Sequence, residues 1–210
     1  MRKIAVLPVV LTAALSFACN AENRNTTDRT PTNEPTTGTS GNTASAGDKD
    51  FVEDLGIAGM AEVELGRMAA ERAASAEVKQ FADMMVRDHS KAGDELKQVA
   101  SKHSIPMPSA LDSKHEELKT KLSNLKGAEF DREYMNAMVQ GHQDVVDRLQ
   151  TRASEDRFGD NKGTVKPEGS DNPVEADINQ WAAMALPTVR HHLDEAKRIK
   201  DDVGRTLTSR

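Results

Sequence analysis

Apolar residues recur every three or four positions along four long stretches of this chain, and that spacing restricts the stretches to helices that bury one face. The composition agrees, because aromatic residues make up only 3% of the chain and a sheet sandwich or barrel needs many more aromatic and β-branched side chains. At 210 residues and 37% hydrophobic content, the chain is long enough to enclose the core of one domain. The predicted helices span about 51–74, 76–103, 109–126, 129–157 and 174–203.

Four of these five helices are long and the third is short. This pattern predicts an all-α fold, a ferritin-like four-helix bundle with a short additional crossover helix. The bundle domain is expected over residues 50–205. A run of polar residues at 158–173 interrupts the helical pattern and is predicted as a loop before the last helix.

The N-terminus has the pattern of a bacterial export signal. Two basic residues precede an apolar run, Ile4–Phe17, which has the length of a signal sequence and is too short to span a bilayer. The only cysteine, Cys19, stands where a lipoprotein precursor is processed. We therefore predict a signal peptide of the lipoprotein type over residues 1–18, with Cys19 as the lipidation site. Because bulky Phe17 departs from the usual lipobox, cleavage by the ordinary signal peptidase is the alternative.

Residues 19–49 are rich in Thr, Asn, Gly, Ser and Pro and contain no large apolar residue, which is typical of a flexible, disordered linker. Signal and linker together predict an exported protein of the periplasm or outer membrane, with the membrane as a partner through lipid on Cys19. The formal net charge of −6 argues against nucleic acid as a partner, since binding phosphates requires clustered basic residues. The sequence identifies no protein partner.

Four ionisable residues interrupt the apolar faces of the long helices. They are Glu62, His89, His142 and His192, each with apolar or small residues one turn away on both sides. Glu62 lies 13 residues before the expected turn at Ser75 and His89 lies 14 residues after it, so an antiparallel hairpin places them at one height. The other two lie near the middle of their helices. We therefore expect all four side chains to meet in the bundle interior.

One carboxylate and three imidazoles are ligands suited to zinc, iron or copper, whereas calcium and magnesium prefer oxygen. The sequence thus predicts a transition metal site at Glu62, His89, His142 and His192. A ferritin-type di-iron centre is not expected, because the chain contains no Glu-x-x-His sequence. The alternative is a hydrogen-bonded, metal-free cluster inside an envelope stress or protein-interaction module. An enzyme ranks last, since no nucleophile is paired with a base.

Several motifs resemble the bacterial envelope family defined by domain of unknown function 4142. They are Gly59-Met60-Ala61-Glu62-Val63-Glu64-Leu65-Gly66, Met85-Val86-Arg87-Asp88-His89, Met138-Val139-Gln140-Gly141-His142, and Leu186-Pro187-Thr188-Val189 leading to His192-Leu193. The resemblance extends over about residues 50–203. It implies an exported ferritin-like bundle whose biochemical role is not established, and its pattern includes Glu62, His89, His142 and His192.

Overall fold

Five α-helices and one short pair of antiparallel strands form the described part of the chain in the computed structural model, residues 42–155 and 165–208. The elements are α1 (Ala46–Arg72), α2 (Ala76–Lys102), α3 (Ser113–Ser123), α4 (Gly127–Gln150), β1 (Ala153–Glu155), β2 (Val165–Pro167) and α5 (Pro173–Thr208). The all-α prediction is confirmed apart from the strand pair. Among the helices of this part, none combines the length and the apolarity that a membrane crossing requires. The predicted signal peptide, Cys19 and linker residues up to 41 lie outside the described residues.

The four long helices pack antiparallel to their neighbours. α1 and α2 form one hairpin, α4 and α5 form a second, and the hairpins meet through α1 with α4 and α2 with α5. Ion pairs between the hairpins join low residue numbers on one helix to high numbers on the other: Glu77–Arg198, Asp88–His192 and Lys102–Asp177, and Asp54–Arg148 and Glu62–His142. In chain order the long helices therefore run up, down, down and up.

The connection between α2 and α4 crosses the length of the bundle, because these two helices run in the same direction. Helix α3 lies on this crossover, and its Lys119 pairs with Glu64 of α1 at 2.6 Å. α3 begins four residues later than predicted, at Ser113, because the Asp112 side chain accepts the His115 backbone N–H (2.9 Å) and caps the helix there. The crossover helix is therefore confirmed, with 11 residues.

The apolar core divides into two clusters along the bundle axis. The first core cluster contains Phe51, Leu55, Leu96, Ile105, Val146, Leu149, Ile178, Trp181, Leu186, Val189 and Leu193 with smaller neighbours. The second core cluster contains Leu65, Phe81, Met85, Leu122, Phe130, Tyr134, Met135, Met138 and Ile199 with smaller neighbours. On each long helix the predicted ionisable residue falls between residues of the two clusters. A polar layer therefore lies where the two clusters meet.

Helix α1 begins earlier than the sequence predicts and includes residues 46–49, which the sequence predicts as linker. The reason is a capping box: the Ser45 hydroxyl accepts the Asp48 N–H (3.1 Å), and the Asp48 carboxylate accepts the Ser45 N–H (2.9 Å). Arg152 also pairs with Asp48 at 2.9 Å. Polar residues thus start this helix before its first large apolar residue, Phe51.

Helix α4 ends at Gln150, seven residues before its predicted end. Arg152, just beyond the helix, binds Asp48 (2.9 Å) and Glu175 (3.3 Å), and β1 then pairs with β2. β2 lies within the segment that was predicted as a loop. The strand pair and the arginine contacts divert the backbone from the helix, although the local sequence contains no helix breaker.

Helices α1 and α2 approach each other closely at Gly66. A Cβ atom there would lie 3.0 Å from Val86 Cγ2 and 3.1 Å from the Ala82 carbonyl oxygen, whereas at Gly59 on the same helix it would meet nothing within 4 Å. We expect Gly66→Ala to lower the free energy of unfolding by about 1–2 kcal/mol, because overpacking outweighs the better helix propensity of alanine. Gly59→Ala should raise it by up to about 1 kcal/mol. Urea denaturation measures both, and equal effects would contradict the close approach.

Candidate metal centre

The polar layer is built from one ionisable side chain on each long helix. Glu62, His89, His142 and His192 are 7%, 9%, 1% and 1% exposed, so all four lie in the interior as the helical spacing predicts. His191, adjacent to His192, is exposed. Each of the four has large apolar residues before it on its own helix. The packing of those residues in the core positions the ionisable side chain along the bundle axis.

The three histidines come together. The centroids of their rings are 5.4 Å apart for His89 and His142, 5.4 Å for His89 and His192, and 5.6 Å for His142 and His192. One ring nitrogen from each lies within 4.8 Å of the other two. Two nitrogens on one tetrahedral zinc ion are about 3.3 Å apart. Small ring rotations would therefore bring all three onto a single ion.

The tautomer of His142 is fixed by the backbone of its own helix. Its Nδ1–H donates to the Met138 carbonyl oxygen at 2.8 Å, which leaves the lone pair on Nε2. That Nε2 atom is buried and has no hydrogen-bond partner among the residues described. A neutral imidazole held by one nitrogen, with a lone pair on the other, is the form in which histidine binds metals.

The tautomer of His192 is fixed by Asp88. The ring Nε2–H donates to Asp88 Oδ2 at 3.1 Å, so the lone pair lies on Nδ1, another buried atom without a partner in this part of the chain. Asp88 itself is held by Arg87, whose Nε lies 2.8 Å from Asp88 Oδ1. The carboxylate adjacent to His89 in sequence therefore orients the histidine of a different helix. Carboxylate-to-imidazole hydrogen bonds of this kind support many metal ligands.

His89 supplies the third unpartnered nitrogen, Nε2. Three buried ring nitrogens thus lack protein partners within the described ranges, and one nitrogen of each histidine lies in the same small volume. Buried polar atoms normally have partners. These donor atoms fit a metal ion that favours imidazole, such as zinc, iron or copper.

Glu62 lies beside His142. Its Oε1 is 3.6 Å from His142 Nδ1, the nitrogen that donates to the Met138 carbonyl. The backbone of Gly141 makes room for the carboxylate, since a Cβ there would lie 3.3 Å from Glu62 Oε1. The group of ligand atoms that lie within 4.8 Å of one another contains the three histidines and not Glu62. Glu62 as a fourth ligand stays a prediction.

Burial keeps the whole layer uncharged near neutral pH. It raises the pKa of the Glu62 carboxyl to about 8. Burial, helped by the neighbouring imidazoles, lowers the pKa of His89 to about 3, and burial lowers that of His142 to about 4 against the opposing hydrogen bond to Met138. The pKa of His192 is lowered by burial as well, with the hydrogen bond to Asp88 acting against it. Neutral imidazoles are the protonation state that a metal requires.

Two other polar groups, Asp131 and the Asp112–His115 pair, lie at the starts of helices. Asp131 accepts the backbone N–H groups of Ala74 (3.0 Å) and Ser75 (2.8 Å), so it caps the turn before α2 instead of orienting a histidine. Asp112 and His115 contact each other at the start of α3. Spacing alone identified the inward residues, but only the packing of α5 against α2 brings Asp88 to His192.

Comparison with known proteins gives a family and no function. Residues 33–162 match the family described as a domain of unknown function (DUF4142), and the chain belongs to that family. The match includes Glu62, His89 and His142. His192 lies beyond it. Of the resemblance expected over residues 50–203, the family match therefore covers the part up to residue 162. No curated protein and no solved structure shows significant similarity to the chain.

The pKa values predict a stability maximum near pH 6.5 for the metal-free protein. Below the ordinary histidine pKa of 6.5, the unfolded chain binds protons that folded His89 and His142 do not, so stability falls as pH falls. Between 4.5 and 8 the folded state holds a proton on Glu62 that the unfolded state has lost, so this group lowers stability as pH rises. Above 6.5 only the Glu62 effect remains, with a slope of up to about 1.4 kcal/mol per pH unit.

Glu62→Gln should therefore remove the decline between pH 6.5 and 8. Urea denaturation in the presence of a chelator measures it, with Glu53→Gln as the control because Glu53 is exposed on the same helix. Parallel curves for wild type and Glu62→Gln above pH 6.5 would show that Glu62 is ionised in the folded protein.

Proposed function

We propose that this member of the DUF4142 family binds a transition metal ion in the bundle interior, with His89, His142 and His192 as ligands. The observation that carries the proposal is the set of three buried imidazoles. Each has an unpartnered ring nitrogen, and one ring nitrogen of each lies within 4.8 Å of one ring nitrogen of the other two. Hydrogen bonds to Met138 and Asp88 hold two of them with the lone pair on the unpartnered nitrogen.

The unpartnered nitrogens favour metal binding over the metal-free alternative. A polar cluster with a purely structural role satisfies its members with hydrogen bonds to one another. Here the three imidazoles approach one another with nitrogens that the neighbouring protein groups leave unbonded. Such an arrangement costs stability in the metal-free protein, and a metal ion would offset that cost.

Three neutral imidazoles suit zinc, iron or copper, and our proposal extends to all three. A site with three protein ligands leaves a coordination position open, at which the ion supplies Lewis-acid chemistry or, for iron and copper, electron transfer. Glu62 is the nearby group whose ionised form would compensate the charge of the ion. The carboxylate lies next to His142.

The helix directions support a ferritin-like arrangement for this bundle. Helices that run up, down, down and up with one long crossover are typical of ferritin-like folds. The metal centre we propose differs from the di-iron centres of such proteins, because it uses three histidines and the chain has no Glu-x-x-His sequence.

We further propose that the protein acts outside the cytoplasm, in the periplasm or at the outer membrane, anchored through lipid on Cys19. Support comes from the sequence: basic residues, an apolar run of signal length, and a single cysteine where the signal ends. The polar segment that follows Cys19 gives the bundle a spacer from the membrane surface.

Metal binding is tested best with the adjacent residues His191 and His192. We expect the wild-type chain, purified without an affinity tag, to bind one zinc or cobalt ion. His192→Ala should weaken binding by more than about a hundredfold, because removing a ligand reduces metal affinity more than removing the hydrogen bond that supports it. His191→Ala is the matched control, since His191 is exposed on the same helix and should bind as wild type does. Equilibrium dialysis with elemental analysis measures both.

Stability provides an independent check on the same proteins. A metal at one hundred times its dissociation constant should stabilise the wild type by about 2.7 kcal/mol, and a chelator should remove the effect. Wild type that binds no metal, or two variants that bind it equally, would contradict the proposal.

Lipidation is tested by mass spectrometry of the mature N-terminus. In a bacterial host that processes lipoproteins, we expect the mature chain to begin at Cys19 with a diacylglycerol mass increment and to sediment with membranes. Cys19→Ala should abolish both. A mature N-terminus without lipid would instead indicate the ordinary signal peptidase.

A further inference from the structure

A cavity of about 300 Å³ leads from the surface to the histidine cluster. Helices α2 and α5 form its mouth, where exposed Lys91 and Met184 stand, and buried Leu55 and Leu149 form its inner wall. His89 and His192 line it as well. The volume is at the lower end of the range for small-molecule sites in proteins.

Small residues keep this volume open. Gly59, Ala92, Gly93 and Ala185 line the cavity where larger side chains would fill a core. At Gly59 and Gly93 a Cβ atom would meet nothing within 4 Å. These small residues leave the walls far enough apart for a guest molecule.

Three side chains that line the same cavity carry unpartnered polar atoms. His89 Nε2, His192 Nδ1 and Trp181 Nε1 are buried and lack hydrogen-bond partners within the described part of the chain, on side chains that are 9%, 1% and 7% exposed. The indole N–H is a donor, and the lone pair of His192 is an acceptor. A guest with one polar end could satisfy these atoms, and its apolar body would contact the remaining walls.

The charges around the cavity compensate one another. Lys91 lies 3.8 Å from Glu95 at the mouth, and Asp88 is bound by Arg87 and His192. No single charge is therefore left to select an ion among the residues that line this cavity. The electrostatics favour an uncharged guest.

We propose that this cavity binds a small neutral molecule with an apolar body and one nitrogen- or oxygen-bearing end, and that this end contacts His89, His192 and Trp181. In the metal-free protein this contact does not depend on the proposed function. In the metal-loaded protein, where His89 and His192 bind the ion, the polar end would bond to the ion instead, and only that bond rests on the proposed function. Met184, which is 59% exposed, is an exposed large apolar side chain at the mouth, where it would contact the apolar body.

The test compares imidazole with 4-phenylimidazole, which share a polar end and differ in the apolar body. Trp181 is the only tryptophan of the chain, so its fluorescence reports occupancy of the cavity directly. At pH 8 with a chelator, we expect 4-phenylimidazole to bind at least about tenfold more tightly than imidazole, because the phenyl ring is buried. Cobalt-loaded protein should show the same preference in its visible absorption spectrum.

Filling the cavity should remove that preference. Ala92→Leu adds bulk inside the cavity, and Ala76→Leu adds it at an exposed position of the same helix as the control. Ala185→Leu fills the cavity from α5, and circular dichroism verifies the fold of each variant. Equal affinity for the two probes in wild type, or a preference that survives both filling substitutions, would overturn the inference.

The two proposals fail in different ways. Protein that binds no cobalt but prefers 4-phenylimidazole in the chelator experiment would contradict the metal site and support the cavity. Protein that binds cobalt but shows no preference between the probes in either state would contradict the cavity and leave the metal site standing.

Discussion

Burial of one ionisable group from each long helix is the constraint on which this structure depends. Glu62, His89, His142 and His192 occupy one layer with apolar residues above and below it. Burying them is tolerable because each is held in its neutral form. The layer also specifies how the helices align, since a shift of one residue along any of them turns its polar side chain by 100°. The requirement to keep these groups together therefore selects one packing of the bundle.

The sequence predicted the features that follow from helical periodicity. The inward face of each long helix, and hence the interior position of all four ionisable residues, follows from a 3.6-residue repeat. The common height of Glu62 and His89 follows from counting residues on both sides of a short turn. Both quantities depend only on regular backbone geometry, so no knowledge of the packing partners was required.

Features that depend on contacts between distant segments could not be predicted in this way. Periodicity gives the direction of a side chain from its helix but not its rotamer, so it could not show that Glu62 lies at the Nδ1 edge of His142. It turns Asp88 about 100° away from His89 on α2 and could not supply the partner of Asp88 on α5. The early end of α4 likewise depends on Arg152, which binds Asp48 more than a hundred positions before it in the chain.

The order of the helices also determines when the histidine cluster can form. His89 belongs to the first hairpin, whereas His142 and His192 belong to the second, and the crossover carrying α3 separates the two. Each hairpin can fold through local contacts, but the three rings meet only after the hairpins dock, which requires closure of a long loop. The cluster therefore requires both hairpins to be docked, and a ligand bound there would connect two halves of the bundle that are far apart in sequence.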